Sequence, residues 1–207
     1  MVSKWYVTIS VLLLILATSF FQYPIAASQD ASIYFVSKVG KYKILPDLTQ
    51  IGWTLSKSGT SRFSDTDQFM YTDFGRTPTQ LGILWHPIQN SSPTDKFKAM
   101  LTQYKKIYQK QNPGAQVSIY KVHSSTIAMP ADKKGVCGIY NISIDRDGSV
   151  KESRILMAVI EESRFLYTIV MINPSGRRNL PAKLAKTQDK EKEITFKLIL
   201  ESIQITR

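Results

Sequence analysis

The stretch VCGIYNISIDRDGSVKESRILMAVIEESRFLYTIVMI, residues 136–172, sets the architecture of this chain. It contains three runs rich in β-branched and aromatic residues, 136–145, 153–160 and 165–172, which predict strands. The first two runs flank Asp147-Gly148, a pair that favours the positive φ angles of a type I′ hairpin turn. Short links between the runs predict antiparallel pairing, and the apolar third run is typical of a central strand covered on both faces. The stretch therefore predicts a meander at the centre of an antiparallel sheet.

One clear helix precedes this stretch. Ser92-Pro93-Thr94-Asp95 combines an N-cap serine with a proline at the first helical position and a capping aspartate, and Asn112-Pro113-Gly114 ends the helix. Apolar residues recur between them at a spacing of three and four. The pattern predicts one face packed on the sheet and a lysine face in water or, alternatively, on an anionic membrane. The apolar positions are Phe97, Met100, Leu101, Tyr104, Ile107 and Tyr108, and the lysines are Lys96, Lys98, Lys105, Lys106 and Lys110.

Further strands are predicted before the helix, and a second helix near the end of the chain. The polar stretch Lys57 to Gln68 predicts a mobile loop, and the segment from Asp189 predicts a helix that packs on the sheet through its apolar side. The expected fold class is α+β, an antiparallel sheet sandwiched by one mid-chain helix and one C-terminal helix, preceded by an N-terminal hydrophobic export segment. The further predicted strands are 32–36, 41–45, 53–56, 69–72, 81–85 and 116–122.

Residues 1–27 read as an export segment. An uncharged apolar run, Trp5 to Phe21, follows the single basic residue Lys4, and its length lies between those of a secretory core and a spanning helix. Ala26-Ala27-Ser28 offers a cleavage context after Ala27 or Ser28. The segment is either a cleaved signal peptide or an N-terminal anchor that contacts the membrane through residues 5–21. Either way, residues 28–207 are expected to form one exported domain, periplasmic or extracellular, or held outside the inner or plasma membrane.

The exported domain is basic. The chain carries a formal charge of +11, and Lys4 is the one charged residue in 1–27, so +10 remains on residues 28–207. This excess favours an anionic envelope component or an acidic protein as partner, rather than nucleic acid. The segment 173–186 holds four basic residues and no acidic one, and it is the candidate contact for that partner. The four residues are Arg177, Arg178, Lys183 and Lys186.

Residues with catalytic or metal-binding potential are few. The sequence has two histidines, His86 and His123, and no nucleophile, zincin or phosphate-loop motif. Either histidine could meet a serine in space as base and nucleophile, but no spacing is diagnostic of a metal site. Cys137 is the single cysteine, so it forms no intrachain disulfide and is expected to be a buried structural thiol. No cofactor, metal ligand or catalytic residue is assigned.

Acidic residues in two places invite a calcium interpretation, which the sequence does not support. Asp65, Asp67 and Asp73 lack a turn glycine in register with them, and the pair Asp145 and Asp147 is explained by its hairpin.

The order of elements resembles the PsbP/DcrB-like fold, which is found in exported or thylakoid-lumen accessory proteins. The resemblance rests on a strand ending at Leu45-Pro46 and resuming at Gly52-Trp53, the helix 93–111, the strands of 136–172, and the closing run 196–203. It covers residues 32 to 205, and it implies an antiparallel sheet sandwiched by helices with an accessory, non-enzymatic role. It implies no binding residue.

The leading functional hypothesis is an exported, non-enzymatic accessory or binding protein of the cell envelope that contacts anionic partners through a basic surface. The alternatives are an envelope hydrolase that uses His86 or His123, and a secreted effector.

Overall fold

The structure is a computed structural model, which describes residues 34–60, 65–72, 78–88, 91–174 and 182–206. The predicted export segment, residues 1–27, lies outside the described residues. Ten strands and two α-helices lie within these ranges, and all strand pairs are antiparallel, which confirms the α+β class and the predicted antiparallel pairing. The strands are β1 (Phe35–Val36), β2 (Tyr42–Ile44), β3 (Thr54–Thr60), β4 (Asp65–Tyr71), β5 (Thr79–Pro87), β6 (Gln116–Val122), β7 (Lys134–Arg146), β8 (Ser149–Glu162), β9 (Phe165–Pro174) and β10 (Gln204–Ile205). The helices are α1 (Pro93–Gln111) and α2 (Ala182–Ser202).

The larger sheet is built around the meander that the sequence predicts. Its strand order is β3-β4-β5-β9-β8-β7-β6, with the long strands β8 and β9 near the centre. The turn between β7 and β8 holds Asp147 at φ 54° and Gly148 at φ 78°, as predicted for the hairpin. The Asp145 carboxylate accepts a hydrogen bond from the Gly148 backbone N–H at 3.0 Å, so its role is to support the turn.

Helix α1 begins as predicted and packs on one face of this sheet. The Ser92 hydroxyl caps it by accepting a hydrogen bond from the Asp95 backbone N–H at 3.1 Å. Phe97 is buried among alternate residues of β8, including Ile155 and Met157. Helix α1 contacts β6, β7 and β8, so it covers one half of this face of the larger sheet.

Helix α2 packs on the opposite face of the larger sheet. The β8 residues Leu156 and Ala158, which alternate with Ile155 and Met157, point to this face. Phe196, Ile199 and Leu200 are buried there, which confirms the apolar side predicted for this helix. The helix begins at Ala182 rather than at the predicted Asp189. Alanine, leucine and lysine in 182–186 have high helix propensity, which favours a helix that begins before Asp189.

The predicted loop from Lys57 to Gln68 is wrong within the described residues, because β3 and β4 form a hairpin there. The sequence is polar since this hairpin lies at the edge of the sheet, where one face of each strand remains in water. A register shift between Leu55 and Lys57 also interrupts the apolar alternation that identifies strands.

A smaller sheet, β1-β2-β10, lies over the same face as α2. Its residues Tyr42 and Ile44 are fully buried against Phe69 and Tyr167 of the larger sheet. Between Asp47 and Gly52 the chain forms a short 3-10 helix, Leu48–Ile51. In the described part of the chain, no helix has the length and apolar character needed to cross a membrane.

Candidate ligand-binding cleft

A cleft lies between α1 and the half of the sheet that α1 leaves uncovered. Its floor is formed by β5 and β9, whose residues alternate between the two faces of the sheet. The cross-strand pairs His86–Leu166, Leu84–Thr168 and Gly82–Val170 put these side chains on the α1 side.

The cleft has two lobes that share Leu84 and Tyr104. The first lobe, which runs along α1 from Lys96 to Ile107, has a volume of about 430 Å³. The second lobe, of about 240 Å³, extends over Gly82 to Ile172. Further residues of the first lobe are His86, Ser91, Lys96, Met100, Gln103, Ile107, Leu166 and Thr168.

Two side chains in the first lobe have buried polar atoms without a hydrogen-bond partner among the described residues. These atoms are Nε2 of His86 and the hydroxyl oxygen of Thr168, a residue that is fully buried. Most buried polar atoms in folded proteins are hydrogen-bonded, and an unsatisfied group costs about 1–3 kcal/mol.

The charges of the cleft favour an anion. Lys96 is half-buried, lines the first lobe and pairs with no carboxylate among the described residues. Burial, together with the Lys96 charge, lowers the pKa of His86 to about 4, so the imidazole is neutral at pH 7. Burial also raises the pKa of Tyr104 to about 12. No aspartate or glutamate is among the described residues that line either lobe.

The two histidines of the sequence do not share a site. Strands β5 and β6 are separated by β9, β8 and β7, so four strand spacings of about 4.8 Å put them about 19 Å apart. His123 follows β6, and the hydroxyl of its neighbour Ser124 donates to Glu193 on α2 at 3.0 Å rather than to an imidazole. Of the two candidate bases, only His86 lies in the cleft.

The basic segment predicted as a partner contact falls mostly outside the described residues. Arg177 and Arg178 lie outside them, so their part of the prediction stays untested. Lys183 and Lys186 belong to the first turns of α2, and their side chains also lie outside the described set.

The surroundings of Cys137 and Asp67 indicate a structural role for each side chain. Cys137 is half-buried at the edge of the core on the α2 side, where burial raises the pKa of its thiol and keeps it protonated. The buried Asp67 carboxylate accepts hydrogen bonds from Ser37 at 2.5 Å, Tyr42 at 2.6 Å and Ser58 at 2.6 Å. Among the described residues, no three histidine, cysteine, aspartate or glutamate side chains converge as a metal site.

Sequence reasoning singled out His86 but missed Lys96, Gly82 and Thr168 as cleft residues. Lys96 belongs to the predicted lysine face, and nothing in its spacing separates it from the exposed lysines. A signal for Thr168 does exist, because it is the one hydroxyl between Tyr167 and Ile172 in an otherwise apolar strand.

The chain matches no protein-family model and no curated protein. Among solved structures, it is similar to the crystal structure of LpqN, involved in cell envelope biogenesis of Mycobacterium tuberculosis. The TM-score is 0.36 and the sequence identity is 16%, over 78% of this chain and 80% of that chain.

Proposed function

We propose that residues 28–207 form an exported, non-enzymatic binding protein of the cell envelope whose ligand site is the cleft beside α1. The export segment 1–27 supports the location, and the +10 charge of the domain supports an anionic partner. The resemblance of the element order to the PsbP/DcrB-like fold is part of the same proposal, because it implies an accessory role.

The observation that carries the proposal is Thr168, which is among the residues that line the cleft and whose fully buried hydroxyl has no hydrogen-bond partner among the described residues. A core position in a central strand normally holds an apolar residue, and a buried hydroxyl without a partner destabilises the free protein. A ligand with a polar group at this point supplies the missing hydrogen bond, and the apolar residues around it supply contact area. Clefts of several hundred Å³ with an apolar lining and a few polar groups are typical ligand sites.

A binding role fits the cleft better than the hydrolase alternative does. A general base works best when its pKa lies near the operating pH, and the pKa of His86 is about 4. Its Nε2 atom also has no serine or threonine hydroxyl as a hydrogen-bond partner among the described residues. An activated nucleophile requires that contact.

The cleft can be tested with anilinonaphthalene sulfonate, an anionic fluorescent amphiphile, and two substitutions at one position. Gly82 lies in the cleft floor, where an added Cβ meets only the Leu84 side chain at 3.6 Å. Gly82→Ala therefore leaves the cleft open, whereas Gly82→Leu fills the second lobe. We expect the wild-type protein and Gly82→Ala to bind the probe, and Gly82→Leu to bind it much more weakly. Equal binding by all three folded proteins would exclude the second lobe from the ligand site.

The location can be tested by expressing the full chain, fractionating the cells and measuring the intact mass. A mass that begins near Ser28 in the soluble extracytoplasmic fraction supports a cleaved signal peptide. A full-length mass in the membrane fraction supports an anchor, and a processed domain found in the medium supports the secreted-effector alternative. A full-length product in the cytosol would contradict export.

A further inference from the structure

The cleft is chemically asymmetric along its length. The residues that line the first lobe include the polar residues Lys96, His86 and Thr168. The described residues that line the second lobe carry no charge, and its centre is apolar at Gly82, Val170 and Ile172. Leu84 and Tyr104 line both lobes, so the two lobes adjoin at these side chains.

The polar end is suited to an anionic head group. Lys96 supplies a positive charge without a carboxylate partner among the described residues. The Thr168 hydroxyl is a hydrogen-bond donor, and the neutral His86 imidazole becomes a donor at Nε2 in the appropriate tautomer. A carboxylate accepts from all three groups, because its two oxygens offer several lone pairs.

The floor of the second lobe is suited to an unbranched chain. From Thr168 to Ile172 the strand advances about 13 Å at the usual rise per residue. Gly82 has no side chain at the middle of this path, so a ligand chain can lie directly on the sheet between Leu84 and Ile172.

We infer that the ligand is a single-chain carboxylate, with its head group at Lys96, His86 and Thr168 and its hydrocarbon chain over Gly82. This inference rests on the proposed function and adds the chemical class of the ligand. The charges of the first lobe support it, since Lys96 is basic and no aspartate or glutamate is among the described residues that line this lobe.

The test compares three probes of equal chain length, decanoate, decanol and decyltrimethylammonium, by isothermal titration calorimetry below their micelle concentrations. We expect decanoate to bind most tightly. Lys96→Met is expected to weaken decanoate binding about tenfold or more, because a hydrogen bond to a charged group is lost, and to change decanol binding little. Thr168→Val is expected to weaken decanoate binding by a smaller factor. Lys98→Met is the matched control, because Lys98 is exposed on α1 and does not line the cleft.

The outcomes separate the two proposals. If decanol or the cationic probe binds as tightly as decanoate, and Gly82→Leu still blocks binding, the carboxylate inference is wrong while the cleft remains the ligand site. If Lys98→Met weakens decanoate binding as much as Lys96→Met, general charge attraction is responsible and the inference is also wrong. If none of the probes responds to Gly82→Leu, the proposed function itself fails.

Discussion

The guanidinium of Arg154 on β8 donates to the Asp189 carboxylate on α2 at 2.8 Å. It also donates to Glu193, about one helical turn further along, at 2.5 Å. The three side chains are only 10–14% exposed, so these contacts fix α2 on the sheet in a poorly hydrated place.

Replacement of Arg154 by methionine is expected to lower the free energy of unfolding by about 3 kcal/mol, because it leaves two nearly buried carboxylates without their cation. Arg154→Lys is expected to recover little of this loss, since one ammonium cannot reproduce the planar fork that reaches both partners. Urea unfolding at pH 7 measures the change. The control is Lys197→Met, which removes an exposed pair with Glu201 and is expected to cost less than about 1 kcal/mol. Equal costs for both substitutions would contradict the assigned role of Arg154.

Asp67 joins the two sheets, because its carboxylate accepts from Tyr42 on β2 while it belongs to β4. Asp67→Asn replaces one acceptor oxygen by a donor that faces hydroxyl groups. We expect it to lower the free energy of unfolding by about 2 kcal/mol through unsatisfied buried groups. Ser58→Ala removes one hydroxyl and leaves two donors on the carboxylate, so it is expected to cost about 1 kcal/mol. The prediction fails if the two substitutions reverse this order in urea unfolding.

Gly148 occupies the left-handed region at φ 78°, with no heavy atom within 4 Å of an added Cβ. The effect of Gly148→Ala therefore comes from the backbone alone, and about 1 kcal/mol of stability is expected to be lost. Gly148→Asn should lose less, since asparagine tolerates this region better. Thermal unfolding of both variants measures the difference. Equal loss in the two variants would contradict the assignment of the cost to φ.

The sequence predicted the elements whose signals are local. Asp147-Gly148 specifies its turn through two residues, and Ser92-Pro93 specifies the start of α1 through hydrogen bonds made within one helical turn. The β3–β4 hairpin was missed because its pairing lies at an edge and leaves a polar outer face. Its strands pair through backbone N–H and C=O groups, which almost every residue has, so this pairing leaves no pattern in the sequence.

The cleft depends on a relationship that no local pattern contains. The cleft exists because α1 covers β6, β7 and β8 and leaves β5 and β9 open. The position of α1 on the sheet is determined by packing between residues that are far apart in the sequence. His86 could be selected from the sequence as a titratable residue, but its neighbours Lys96 and Thr168 are distant from it in the chain. The predicted contact segment 173–186 stays a prediction, because Arg177 and Arg178 and the side chains of Lys183 and Lys186 lie outside the described set.

His86 makes the stability of the protein depend on pH. Burial beside Lys96 lowers the pKa of His86 to about 4, against 6.5 for an ordinary imidazole. Between these values the unfolded chain binds a proton that the folded protein does not, so the free energy of unfolding falls as the pH falls from 6.5 to about 4. His86→Gln removes the titrating ring and keeps a polar side chain, so its stability is expected to fall less over this window.

Urea unfolding at a series of pH values gives the pH dependence of the free energy of unfolding for the wild-type protein and for His86→Gln. The ring resonances of His86 in NMR spectra give its pKa directly. Lys96→Met is the informative second variant, because it removes the neighbouring charge and leaves the burial of His86 in place. Its His86 pKa is expected to rise toward 6.5 without reaching it, since burial is the larger of the two causes. A wild-type His86 that titrates at 6.5 would contradict the burial of its imidazole, and with it the shape assigned to the polar end of the cleft.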